Sequence, residues 1–182
     1  MVNNYKHKLT SLQQEILKLL FVNTGKSLNQ HQISKKLEVS QPAVIKSLPK
    51  LEKLDFIKMQ QDKESKRWSI ELNRDNPRVM QLKRVNNLKQ IYVTGLSDFL
   101  EKELAGATII LFGSFSRGDD TINSDIDIAA IGRKKKIIDL SKFEKTLERT
   151  ININYYDSFK KIHKHLKENL FNGIVLTGGI EL

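Results

Sequence analysis

Apolar residues follow two different rhythms along this chain. Up to about residue 104 they recur every three or four positions, and from Ala107 onward they gather into short continuous runs. Thr10 opens the first helical stretch, and Gln13 stands where a capping box needs it. Leu12, Ile16, Leu19 and Leu20 follow at helical spacing, and Asn23-Thr24-Gly25 ends the stretch. Ser27 is the predicted cap of a second, shorter helix with Ile33 and Leu37 on its inner face. Glu38-Val39 make a tight turn. Ser40 caps a third helix with Pro42 in its first turn, where a missing N–H costs nothing. Val44, Ile45 and Leu48 carry that helix towards Leu51 and Leu54. Pro49 falls inside it and is expected to kink it or end it early.

Two strands are expected next, over 57–61 and 67–72, around the polar tip Asp62-Lys63-Glu64-Ser65-Lys66. Three helices followed by a hairpin is the order of a winged helix-turn-helix, assigned to residues 1–75. Residues 76–104 are patterned as a helix, with Val85, Leu88, Tyr92, Leu96 and Phe99 at alternating steps of three and four. Two readings stay open for it: a coiled-coil-like seam joining two copies as a homodimer, or a bridging helix packed on its own two domains. Gly95 costs roughly 1 kcal/mol against alanine in a helix interior, and can mark a break into two helices.

From Ala107 the pattern alternates between strands and helices. Residues 108–112 form a wholly apolar strand, as in a sheet covered on both faces. Further strands are expected over 125–131, 151–156 and 174–176, with helices over 140–149 and 158–171. The fold class is therefore α/β (α+β): an N-terminal winged helix domain, a bridging helix over 76–104, and a mixed sheet over 105–182.

Charge adds a second asymmetry. Residues 1–104 hold 19 basic and 11 acidic side chains, against 12 and 10 in residues 105–182. Most of the formal net charge of +10 thus lies in the first half, which suits a module that meets a polyanion. The chain has no cysteine, which excludes disulfides, thiolate chemistry and Cys-based zinc sites and makes a cytoplasmic location the expectation. No apolar run approaches the roughly 20 residues of a membrane helix, and the first residues lack the apolar core of a signal peptide, so no membrane partner is expected.

The stretch LFGSFSRGDDTINSDIDIAAIG, residues 111–132, concentrates the chemistry. A buried strand ends at Gly113-Ser114, where a helix is expected to begin. Glycine lets a backbone approach a phosphate closely, free N–H groups can meet it, and Ser114 adds a hydroxyl. Farther on, Asp125 and Asp127 stand two apart on a strand, so both carboxylates share one face while Ile126 and Ile128 point into the core. Paired carboxylates repel unless a cation sits between them. Mg²⁺ suits them, with a nucleotide's phosphates completing its shell.

These residues resemble the DNA polymerase β-like nucleotidyltransferase superfamily. Its motif is a hydrophobic residue, Gly-Ser or Gly-Gly, a spacer of about ten, then Asp-hydrophobic-Asp. Here it runs Phe112, Gly113, Ser114, ten residues, then Asp125-Ile126-Asp127-Ile128. Arg117, Gly118 and Ser124 extend the match towards the minimal nucleotidyltransferase branch, over roughly residues 107–182. The resemblance implies a nucleotidyltransferase fold over 105–182. It implies nucleotide binding by Gly113, Ser114, Arg117 and Ser124, and Mg²⁺ held by Asp125 and Asp127. It also implies a third carboxylate on a later strand, expected over 150–156. Asparagine stands at both inward-capable polar positions there, with Asn154 the better match and Asn152 the alternative. An amide is a neutral ligand and no general base.

Residues 10–72 resemble the winged helix-turn-helix regulators of the ArsR/MarR type. The resemblance implies binding to double-stranded DNA. Gln41, Lys46, Ser47 and Lys50 would face it from the third helix, and Lys63, Lys66 and Arg67 from the wing. Two functions follow. The first is a DNA-binding protein whose second domain binds Mg-NTP and transfers a nucleoside monophosphate to an acceptor hydroxyl. The branch resembled implies that a protein acceptor, a small helical toxin-like partner, is one option. The second is a transcriptional regulator whose transferase-like domain is catalytically inactive and senses nucleotide or binds a partner.

Overall fold

The computed structural model describes residues 9–64 and 66–180. Ser65 in the predicted hairpin tip, and residues 1–8 and 181–182 at the ends of the predicted outer domains, lie outside the described residues. The chain divides into two compact units, Met1–Val79 and Met80–Leu182.

In the first unit, helices α1 (Ser11–Val22), α2 (Gln30–Leu37) and α3 (Gln41–Lys53) precede strands β1 (Ile57–Gln61) and β2 (Trp68–Leu72), which pair antiparallel. Thr10 and Gln13 make both bonds of the expected capping box. The cap of α2 is Asn29, not Ser27. Asn29 Oδ1 accepts from the Gln32 backbone N–H, while Leu28 is already bridged to Ile70 of the hairpin, so the helix cannot start earlier. Pro49 does not end α3, which runs on to Lys53. Proline removes one backbone donor, and its ring here lies on the exposed side of the helix. Ile16, Leu20, Leu28, Ile33, Val44, Leu48, Leu51, Ile57 and Ile70 form the core, each worth about 1.5–3 kcal/mol on burial.

Helix α4 (Pro77–Val93) begins at the end of the first unit and continues into the second. Gly95, at φ 75°, breaks the predicted long helix, and α5 (Leu96–Glu103) follows. The five seam residues do not share one fate. Leu88, Leu96 and Phe99 pack into the core of the second unit, whereas Val85 and Tyr92 are exposed. The inner face of α4 carries Lys83 and Asn87 instead, both buried.

The second unit continues as β3 (Thr108–Phe112), α6 (Gly113–Arg117), β4 (Ile126–Ile131), α7 (Ser141–Leu147), β5 (Ile151–Tyr156), α8 (Lys164–Phe171) and β6 (Ile174–Thr177). Residues 158–171 are not one helix. A 3-10 turn over Phe159–Lys161 is followed by extended backbone at Ile162, whose side chain is buried, and α8 starts after it. The sheet order is β5-β4-β3-β6, with β4 and β5 parallel and the other pairs antiparallel, a mixed sheet as expected. Its two central strands, β3 and β4, are covered on both faces. Ile109, Leu111, Ile126, Ile128 and Ala130 join α5 and α7 on one side, and Ile110, Phe112, Ala129 and Ile131 join α8 on the other. Among the described residues no helix is long and apolar enough to cross a membrane.

Candidate functional site

Strand β3 delivers the site because four of its five side chains are buried, which fixes where the chain must emerge. It emerges at Gly113, φ 75°, and turns at once into the five-residue α6. A Cβ at Gly113 would come within 2.5 Å of Asp127 Oδ2, so glycine is what lets the turn lie against the acid. The turn closes on itself. Ser116 Oγ donates to the Gly113 carbonyl at 2.9 Å, and Asp119 N donates to the Ser114 carbonyl at 3.0 Å.

Asp127 lies mid-sheet, paired with Phe112 of β3 on one side and Asn152 of β5 on the other. Asp125 precedes β4 by one residue. Asn152 Nδ2 donates to Asp125 Oδ2 at 3.1 Å. Burial and the neighbouring Asp125 carboxylate together hold Asp127 above the usual carboxylate range, and the Asn152 amide opposes them. Asp125 thus lies near enough for its carboxylate to act on Asp127. Asn152, not Asn154, stands beside them. The parallel register sets Asn154 opposite Ala129, two pairs farther along, so it shares the face and misses the site.

The other expected nucleotide contacts are placed as follows. Ser114 is half-buried in the first turn of α6. Arg117 Nε donates to Asp119 Oδ2 at 3.0 Å on the exposed side. Ser124 Oγ accepts from Thr121 N at 3.0 Å and closes the loop that leads to Asp125. Gly113, Asp125 and Asp127 are thus brought together, with Asn152 added; Arg117 and Ser124 shape the loop around them. Two neighbouring carboxylates, Asp127 raised by burial and by Asp125, with a glycine cradle beside them, fit a hard divalent cation, which Asp125 and Asp127 would hold.

A buried polar cluster behind the site was not foreseen. Lys83 is 0% exposed and Asp120 1%. Lys83 Nζ pairs with Asp120 Oδ1, and Asn87 Nδ2 donates to the same oxygen at 2.7 Å and to the Phe115 carbonyl at 3.0 Å. Arg149 Nη2 lies 3.8 Å from Asp120 Oδ2. Burial pushes the Lys83 ammonium below its ordinary value, and Asp120 opposes the shift. Lys83 and Asn87 are spaced i, i+4 on one helical face, the one sequence signal that could have found them.

The family described as "Nucleotidyltransferase domain" matches residues 93–176. The MarR family matches residues 9–68. The chain joins a MarR-type winged helix to a nucleotidyltransferase domain. Among solved structures, it is similar to a MepR mutant from a multidrug-resistant S. aureus clinical isolate, at 25% identity over 42% of this chain and 56% of that one, TM-score 0.37. It is similar to a mutant of Lactococcus lactis ZitR, at 22% identity over 56% and 66%, TM-score 0.41. A third likeness is the S. aureus MepR–DNA complex, at 22% identity over 53% and 79%, TM-score 0.39. The chain spans 56% and 66% of the length of the first two. No curated protein matches it.

On the winged helix, α3 exposes Gln41, Lys46 and Lys50. Ser47 does not face outward. It is 8% exposed, its hydroxyl donates to the Ala43 carbonyl at 2.9 Å, and its carbonyl accepts from Gln13 Nε2 at 3.3 Å. The helix turns 100° per residue, so Ser47 follows Val44 and Leu48 inward. Ile45, 44% exposed, takes the outer position between Gln41 and Pro49. On the wing, Lys63, Lys66 and Arg67 are exposed.

Proposed function

We propose that this protein is a DNA-binding regulator whose nucleotidyltransferase domain binds a nucleoside triphosphate with Mg²⁺ without transferring it. Asn152 carries this reading. The side chain beside the acid pair is an amide that donates to Asp125, so it neither adds a third negative charge nor accepts a proton. Asp125 and Asp127 keep the charge a cation needs, and Gly113 keeps the turn close to them. Mg²⁺ would there neutralise phosphate charge. Ser114 would offer its hydroxyl to a phosphate.

The winged helix would enter the major groove with α3. Gln41 would reach a base edge, while Lys46, Lys50, Lys63, Lys66 and Arg67 meet phosphates. The basic excess of the first half supports this. A two-fold operator would be met by a homodimer.

A second reading keeps transfer of a nucleoside monophosphate to an acceptor hydroxyl, on a protein such as a small helical partner. It is favoured by the close fit of Gly113 against Asp127, since a purely structural sheet has no use for two acids so placed. Incubation with Mg²⁺ and each α-labelled triphosphate in cell extract, alongside Asp125→Ala/Asp127→Ala, separates the two. The proposal expects no aspartate-dependent label on any acceptor. Label lost in the double variant would establish the transferase instead.

A further inference from the structure

Three stretches of chain deliver the acid site. Turn α6 brings Gly113 and Ser114, the loop after it leads to Asp125 and Asp127, and the segment before β5 leads to Asn152. One buried side chain ties all three together. Asp120 lies on the loop, five residues before Asp125. Its Oδ2 faces Arg149, three residues before Asn152, at 3.8 Å. Its Oδ1 accepts from Asn87 Nδ2 at 2.7 Å, and the same amide donates to the Phe115 carbonyl, two residues after Gly113, at 3.0 Å. Lys83 pairs with Asp120 from the same face of α4. The close approach of Gly118 to the α4 backbone, where a Cβ would lie 2.8 Å from the Met80 carbonyl, seats the loop on that helix.

Stability alone does not explain such an arrangement. A carboxylate and an ammonium with essentially no exposure carry a desolvation cost that their attraction offsets only in part, and an apolar pair of similar volume often does as well or better. Hydrogen bonds supply what apolar packing does not: fixed directions between specific atoms. Here the Asn87 bonds join the Gly113 turn to the loop before Asp125, and the Asp120–Arg149 ion pair at 3.8 Å joins that loop to the segment before Asn152.

We propose that Asp120 is a positioning residue for the cation–nucleotide site, held by Lys83, Asn87 and Arg149, and that it sets the separation of the glycine turn, the acid pair and Asn152. This rests on the proposed cation–nucleotide binding at that site.

The test is titration of the full chain with Mn²⁺ and ATP, using wild type, Asp120→Asn, Asn87→Leu and the charge-free pair Lys83→Met/Asp120→Leu. Each is measured at a temperature where circular dichroism shows it folded. All three variants are expected to bind Mn²⁺–ATP about ten-fold more weakly, as loss of groups that orient metal ligands does elsewhere. The charge-free pair takes away the carboxylate that faces Arg149 and is expected to melt lower than wild type, whereas Asp120→Asn keeps the side chain's shape and an acceptor for Asn87, which keeps a readout should either of the other variants fail to fold. A merely structural cluster would shift melting and leave the affinity of the folded protein unchanged, and that result would overturn the positioning role. Wild type that fails to bind Mn²⁺–ATP would remove the underlying site, and the positioning role with it.

Discussion

A methyl group on Gly113 would lie 2.5 Å from Oδ2 of Asp127. No real Cβ sits so close to an oxygen, so either the turn or the acid must move. Gly113→Ala also places an L side chain at φ 75°, which costs about 1–2 kcal/mol. The variant is expected to lose Mg²⁺-dependent nucleotide binding and to melt several degrees lower, read by titration and by thermal denaturation.

Asp127→Asn is expected to stabilise the protein while removing the same binding. Asp127 has a raised pKa in the folded chain, from burial and from Asp125. The native state then holds that proton more tightly than the unfolded chain. The group's contribution to stability is present below the ordinary carboxylate range and is lost as pH climbs through the raised value. At neutral pH the substitution removes this penalty. The gain is about 0.5 kcal/mol, small because the carboxyl is only half-buried and water screens it. Denaturation at pH 7 and pH 3 checks the sign: the advantage should vanish in acid.

Asn152→Asp adds a third carboxylate and removes the donor that Asp125 now has. Stability without cation is expected to fall by about 1 kcal/mol at pH 7, the ordinary cost of an unmade hydrogen bond, and Mg²⁺ affinity to rise. Paired melting curves with and without Mg²⁺ read both effects, and a variant stabilised without cation would contradict the arrangement.

The sequence showed the outline of both domains but not the polar cluster behind the acids. Capping at Thr10 and Ser40, the hairpin and the buried β3 are local patterns, and local patterns read directly. The acid pair and its glycine turn were legible because their spacing is a motif. Ser27 as a cap and Pro49 as a helix end misled because a cap and a break are decided by competing partners: Leu28 bridging to Ile70, and a helix seated on a core. The choice between Asn152 and Asn154 depends on strand register, which no single strand encodes. Lys83 and Asp120 were hidden because charged residues are taken as exposed unless a partner is known, and theirs is 37 residues away.

DNA binding should separate Lys46 from Ser47. Lys46→Ala removes one exposed cation from α3 and is expected to lower the slope of log affinity against log salt by about 1. Ser47→Ala removes a hydroxyl that bonds the Ala43 carbonyl, and duplex affinity is expected to stay within two-fold at about a 0.5–1.5 kcal/mol cost in stability. Filter binding over a salt series, with one melting curve per variant, tests both.

The central claim is that Asp125 and Asp127, beside the Gly113 turn, hold a divalent cation and a triphosphate jointly. Calorimetric titration of the protein with triphosphate, with and without Mg²⁺, and again with Asp125→Ala/Asp127→Ala, tests it most directly. Saturable binding that requires both the metal and the two acids is the predicted result. Binding indifferent to the metal, or surviving in the double variant, would contradict it.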